Sequence, residues 1–517
     1  MGTKASSGSS LDNTAQGRWL TLDDVITRII EDSKEAKPSI AFAISGGGAT
    51  GAYEAGVIAA WLQRVQTQHA QHDFLEPRFV MGSSAGALNA TTLLVSSVRP
   101  NAGSQFGFEV WRGICPRASS FVVGRGRSIL VDLATRWVKI PRAAIVAVAA
   151  LFLFIALLIL NPVLASVPLS RFPGVDAIAL AISKHPVQFS LAGAVVGIAI
   201  VLVAGALFRR AVFRNVALKR TLACVLTASC DPKTHRIPGG LLTRRPEPMQ
   251  AGSDLVDLWY RAGSGSRLNF IVTATDISAD SANLFTLVEP EVFARLAAGG
   301  WQVLQLMNPA QLPAGYNGPP DQCGWVHSRD FVTCVVASTS IPGVFPAQRL
   351  TLHGIVGTGV AEHDFVDGGV LNNTPIHIAI DAGATHVISF ELEPLRRHGT
   401  FMYLAEGEPP NLGRNVIQTF ETLLANSTRQ GIRMASSWNR EIQLAGKTAA
   451  LGKRLVPIFR MAPRRRELNL IDFNGRFHRA LSKADPSLEQ WLTQGFDDAA
   501  QGNSKLFWDA TFQPDPS

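Results

Sequence analysis

Residues 79–90 read FVMGSSAGALNA. Phe79, Val80 and Met81 have the character of the end of a buried strand, and the apolar run after Ser84 reads as a helix. Between them Gly82, Ser84 and Gly86 are spaced G-x-S-x-G. That spacing puts a serine on a sharp strand-to-helix turn, its Oγ at a helix N-terminus whose dipole favours a developing anion. No histidine lies within ten residues of Ser84, so a base able to take its proton must come from elsewhere in the chain.

Upstream, SIAFAIS (39–45) is an apolar run that stops at Gly46, Gly47 and Gly48, and ATGAYEAGVIAAWLQRVQTQ (49–68) has helical periodicity. Strand, helix, strand, helix implies an α/β fold with a mostly parallel sheet and helices on both faces. Gly46, Gly48 and Gly51 also form G-x-G-x-x-G. A dinucleotide loop would need an acidic residue at the end of the next strand, but that strand runs into Met81-Gly82-Ser83-Ser84. Consecutive backbone N–H groups at a helix start suit an oxyanion hole better.

Downstream the pattern breaks after about residue 135. Residues 143–170 and 186–208 contain no charged side chain. As a helix the second run would be ~35 Å long, enough to cross a bilayer core. The first is also long enough, with a kink or end at Pro162. Arg136, Lys139 and Arg142 precede this pair of runs, and Arg209, Arg210, Arg214, Lys219 and Arg220 follow it. Basic flanks predict a two-span hairpin, spans about 143–166 and 187–208, with both outer ends cytoplasmic. These eight cations match the formal net charge of +8, so the basic balance points to membrane and away from nucleic acid.

The α/β pattern then resumes. RLNFIVTATDI (267–277) reads as a strand, VTCVVASTSIPGVFP (332–346) as a helix broken at Pro342, and HDFVDGG (363–369) as a short strand into a glycine turn. NNTPIHIAIDAG (372–383) reads as a helix, THVISFEL (385–392) as a strand, and about 414–445 as a long helix, with a strand at RLVPIFRMA and a further helical stretch beyond. Cys115, Cys224, Cys230, Cys323 and Cys334 form no C-x-x-C pair, which indicates neither a disulfide framework nor a zinc site.

GGGATG, GSSAG, ASTSIPGVFP and DGGVLNNTP occur in the order found in the patatin-like phospholipases, and TATDI fits the same pattern. The chain resembles that family over roughly 38–135 and 265–395. The resemblance implies a Ser–Asp dyad without histidine: Ser84 of G-x-S-x-G as nucleophile and Asp367 of D-G-G as base. It places the oxyanion hole at Gly46, Gly47 and Gly48, with Gly51, Gly82, Gly86, Gly368 and Gly369 as motif glycines, and calls for no metal or organic cofactor. A carboxylate is ordinarily a weak base, so this role requires partial burial beside Ser84. One position departs from the family: Thr50 stands where Arg or Lys is usual, which bears on phospholipid preference.

The expected organisation is a polar N-terminal extension (1–37) without the apolar core of a signal peptide, a catalytic domain (38–400) interrupted at 136–220 by the membrane insertion, and a C-terminal helical extension (401–517) packed on it. The expected activity is hydrolysis of fatty-acyl esters of membrane lipids by an integral membrane protein with its catalytic domain on the cytoplasmic side. Two alternatives stand beside it: a Ser-His-Asp esterase using His377 or His386, and a non-catalytic membrane scaffold of the same fold.

Overall fold

The computed structural model describes residues 19–34, 37–99, 102–115, 215–227, 247–262, 267–308, 324–342, 344–354, 359–392, 412–445, 456–461, 463, 488–500 and 507–509. The chain divides into two compact units. The first comprises Met1–Arg125, Asn215–Pro342 and Pro346–Ser517; the second comprises Gly126–Arg214 and Gly343–Phe345. All that follows concerns the first. The hairpin expected at 143–166 and 187–208, with its basic flanks apart from Lys219 and Arg220, lies outside the described residues. Among those described, no helix is long and apolar enough to cross a membrane.

The strands are β1 (Trp19–Leu20), β2 (Ile40–Ile44), β3 (Phe79–Gly82), β4 (Asn269–Asp276), β5 (Ser281–Leu287), β6 (Gln302–Met307), β7 (Gly324–His327), β8 (Gln348–His353), β9 (Val360–Asp367), β10 (His386–Phe390), β11 (Ile458–Met461) and β12 (Phe507–Asp509). The helices are α1 (Leu22–Asp32), α2 (Gly51–Gln68), α3 (Ala85–Val98), α4 (Phe106–Ile114), α5 (Val216–Leu226), α6 (Pro248–Arg261), α7 (Pro290–Ala298), α8 (Phe331–Ser338), α9 (Ile376–Ala382), α10 (Leu412–Ala445) and α11 (Leu488–Ala500).

The sheet runs β1-β12-β11-β10-β2-β3-β4-β5-β6-β7-β8-β9, and a further pairing of β4 with β9 closes its last six strands into a mixed barrel. This corrects the expectation of a mostly parallel sheet. β11, β10, β2, β3 and β4 are parallel neighbours, but β4–β5, β7–β8, β8–β9 and β4–β9 are antiparallel. The physical reason lies in the connections. β4 turns back tightly through residues 277–280 into β5, and so short a link cannot make the crossover that a parallel neighbour needs.

Every residue of β2, β3 and β10 is buried, as expected for strands covered on both faces. Phe42 meets Trp61 of α2 edge-on, ring centroids 5.8 Å apart, and Phe390 at 5.0 Å. The N-terminal segment is more than an extension: α1 buries Leu22, Val25, Ile26 and Ile29 in the main core. Thr21 and Asp24 form a reciprocal cap at its start. At the C-terminal end α11 lies against α2, Trp491 packing on Tyr53 with centroids 4.8 Å apart.

Candidate active site

β4 is the strand on which the site is built. From Phe270 to Asp276 it pairs with β5 along one edge. On the other edge β3 occupies 269–272, ending with Gly82 opposite Val272, and β9 occupies 274–276, ending with Asp367 opposite Ala274. Parallel β3 and antiparallel β9 therefore meet end to end, their C-termini about 7 Å apart along β4. The residues just beyond Gly82 are Ser83 and Ser84. Barrel closure is what brings residue 84 to residue 367.

Ser84 lies between β3 and α3 with φ 52 and ψ −121, a backbone conformation that costs a non-glycine residue of order 1–3 kcal/mol. Its N–H donates to Ser338 Oγ at 3.0 Å. The glycines on either side permit the turn: a side chain on Gly82 would strike the Gly86 backbone, and one on Gly86 would strike Ile44 O. Ser84 is buried.

Asp367 caps the short turn Gly368–Val370. Its Oδ1 accepts from Gly369 N at 2.8 Å, its N–H donates to Ser340 O at 3.0 Å, and its C=O accepts from Thr275 Oγ1 at 3.0 Å. Burial pushes its carboxyl up to about 7, while the Ser84 hydroxyl and the Gly369 N–H pull it back down. Oδ2 is buried and has no hydrogen-bond partner among the described residues.

The glycine loop after β2 completes the site. A Cβ at Gly46 would collide with Asn373 Oδ1 and stand 2.7 Å from Ser84 Cβ. Gly46 N–H is engaged twice, by Asn373 Oδ1 at 3.0 Å and Asn373 O at 3.2 Å. It is a strut of the loop and is not free to donate to an oxyanion. The N–H groups of Gly47, Gly48 and Ala85 have no acceptor among the described residues. Thr50, fully buried, donates its hydroxyl to Gly47 O at 2.6 Å, and its own C=O accepts from Trp491 Nε1 at 3.3 Å. Beneath the loop Ser45 Oγ donates to Glu54 at 3.0 Å and Asn89 Nδ2 to the same carboxyl at 3.2 Å. Burial holds Glu54 well above the usual carboxylate range.

Neither histidine weighed from the sequence faces Ser84. His386 Nε2 lies 3.1 Å from Asp32 Oδ2 and Nδ1 lies 2.7 Å from Thr385 Oγ1. His386 is level with Ile40, four residues before the Phe390–Ile44 pairing at the site end of the sheet, about 13 Å along the strand. His377 turns Nε2 toward Asp381 at 3.8 Å, its ring between Trp301 and Trp438. Sequence reasoning missed Ser338 and Asn373, although both lie inside motifs it quoted, and Glu54, Asn89, Ser427 and Thr428, for which no local signal exists.

A family model described as patatin-like phospholipase matches residues 42–156 and 199–380. The chain belongs to the patatin-like phospholipase family, and it is a carboxylic-ester hydrolase of lipid acyl groups. No curated protein matches it. Among solved structures it is similar to VipD from Legionella pneumophila at 14% identity and a TM-score of 0.31, over 92% of this chain and 68% of that one. So loose a likeness carries no argument about this chain.

Proposed function

We propose that the enzyme cleaves fatty-acyl esters of membrane lipids through a Ser84–Asp367 dyad. The observation that supports this most is the end-to-end meeting of β3 and β9, which sets a strained serine beside a buried carboxyl poised at about 7. Ionised Asp367 takes the Ser84 proton as Oγ attacks the ester carbonyl. The tetrahedral oxyanion is held by the N–H groups of Gly47 and Gly48, joined by Ala85 at the start of α3. Collapse expels the alcohol, which leaves with the proton from Asp367, and Ser84 keeps the acyl group. Asp367 then deprotonates a water that attacks the acyl-enzyme, releasing the fatty acid and restoring Ser84. Gly46 serves this scheme by placing the loop.

Ser84→Ala and Asp367→Asn are expected to abolish hydrolysis of a fluorogenic fatty-acyl ester while both variants stay folded, and Ser84→Ala to abolish labelling by a fluorophosphonate. Full labelling of Ser84→Ala would refute the nucleophile assignment.

We further infer that residues 143–166 and 187–208 form a membrane hairpin with the catalytic unit on the cytoplasmic side. The support is the uncharged runs and their basic flanks. The hairpin would keep Ser84 near the lipid surface, so that substrate enters from the adjoining leaflet. Replacing 143–208 by a Gly/Ser bridge should give a protein that still cleaves short-chain esters but loses most activity on bilayers. A reporter at residue 178 should be protected from protease on the face opposite the C-terminus; both on one face would reject a spanning hairpin.

A further inference from the structure

Helix α10 lies wholly beyond the segment matched by the family, which ends at residue 380. It nevertheless reaches both halves of the site. On one side Leu424 packs against the Asp367 turn: a Cβ at Gly369 would stand 2.6 Å from Leu424 Cδ2. On the other, Ser427 Oγ accepts from Asn373 N at 2.8 Å and Thr428 Oγ1 accepts from Asn373 Nδ2 at 2.9 Å. Ser427, Thr428 and Asn373 are all buried.

Asn373 passes this hold to the glycine loop. Its Oδ1 accepts from Gly46 N at 3.0 Å while its Nδ2 donates to Gly46 O at 3.2 Å. The side-chain amide thus grips the N–H and the C=O of one residue, fixing Gly46 in position and in rotation. The second Nδ2 hydrogen goes to Thr428, so the amide plane is set by α10. Gly46 leads directly into Gly47 and Gly48, whose N–H groups must point to one spot near Ser84 for an oxyanion to form there.

We propose that Asn373 is a positioning residue for the oxyanion loop and that Thr428 of α10 orients it, which makes this C-terminal helix part of the catalytic machinery. The inference rests on the Ser84–Asp367 reading. The Thr428 hydroxyl fixes the Asn373 amide, the amide fixes Gly46, and Gly46 aims the two following amides. A displacement of an ångström at such a point costs on the order of 100-fold in rate. The substrate does not touch Asn373 in this scheme, so the loss appears in kcat and in trapping of tetrahedral species, with KM spared.

The test uses the full chain with a soluble acyl ester and a fluorophosphonate. Asn373→Ala is expected to lower kcat roughly 10- to 100-fold with KM changed less than twofold, and to slow fluorophosphonate labelling in parallel. Thr428→Val keeps the shape and removes the hydroxyl, which also accepts from Thr374 Oγ1 at 3.0 Å; its kcat should fall roughly 3- to 10-fold in the folded protein, and Thr428→Ser should restore it. If Asn373→Ala does not fold, Thr428→Val decides. Wild-type kcat and labelling in folded Thr428→Val, or a loss confined to KM, overturns the proposal. Ser84→Ala is run beside them: if it retains hydrolysis, the dyad reading itself falls; if it is dead while Thr428→Val is unaffected, only the role of α10 falls.

Discussion

Ser338 holds Ser84: the hydroxyl at the last turn of α8 accepts the Ser84 N–H at 3.0 Å, and both residues are buried. Two residues further on, Ser340 O accepts the Asp367 N–H at 3.0 Å. One helix end therefore holds the backbones of both Ser84 and Asp367, the two residues of the proposed dyad, through the stretch ASTSIP. Ser338→Ala strands a buried N–H on a strained residue and should cost about 1 to 3 kcal/mol. It should also lower kcat. Chemical denaturation beside steady-state kinetics checks both; an unchanged kcat would mean that the elbow keeps its shape unaided.

The second prediction concerns pH. A base with a pKa of about 7 requires log kcat/KM to rise with unit slope up to about pH 7 and to level above it. The same shift has a stability consequence of opposite sign. The folded carboxyl holds its proton more tightly than the unfolded one, whose ordinary value is 3.8. Its contribution to stability is complete below about pH 4 and is lost as pH rises to about 7. Asp367→Asn cannot ionise, so at pH 8 it should be more stable than the parent, by up to about 4 kcal/mol. Melting curves at pH 5 and pH 8 compare the two proteins; the difference must grow with pH.

The histidines supply the third. His386 joins β10 to Asp32 at the end of α1, so His386→Ala should cost about 1 to 3 kcal/mol and leave kcat within twofold. His377→Ala should likewise retain activity. A folded histidine variant as inactive as Ser84→Ala would overturn the dyad assignment.

The fourth is at Thr50. With its side chain enclosed and bonded to Gly47 O, there is no space for a guanidinium, and Thr50→Arg should destabilise by several kcal/mol. Thr50→Val removes only the hydroxyl and should lower kcat for phospholipid and neutral glyceride esters alike, because it loosens a loop both use. A selective loss on anionic phospholipids would show instead that position 50 reads the head group.

Much of this was legible in the sequence wherever a feature is local. The runs ending at Gly46 and at Gly82, the helix starting after Ser84 and the D-G-G turn each carry glycine spacing beside an apolar strand, and all occupy the positions expected. What escaped is what depends on distant pairing. β6 (QVLQLM) and β8 (QRLTLH) resemble any short amphipathic run, and nothing within them says that they close a barrel. Asn373 looks like a turn residue two positions before a proline, and its partner Gly46 is 327 residues away. Thr428 sits inside a helix where a threonine ordinarily signals nothing. The hydroxyls and amides that hold the site carry no periodicity by which a sequence could announce them.

The order of the central strands also sets a timetable. β2 pairs with β3 on one side and, on the other, with β10, where Ser39 N–H meets Thr385 Oγ1 across a separation of 346 residues. At ordinary synthesis rates the open edge of β2 waits for its neighbour for on the order of tens of seconds. Throughout that interval IAFAI is an uncharged, bare strand edge emerging from the ribosome, able to pair with any other chain. Slowing translation late in the message should therefore increase aggregation of this protein.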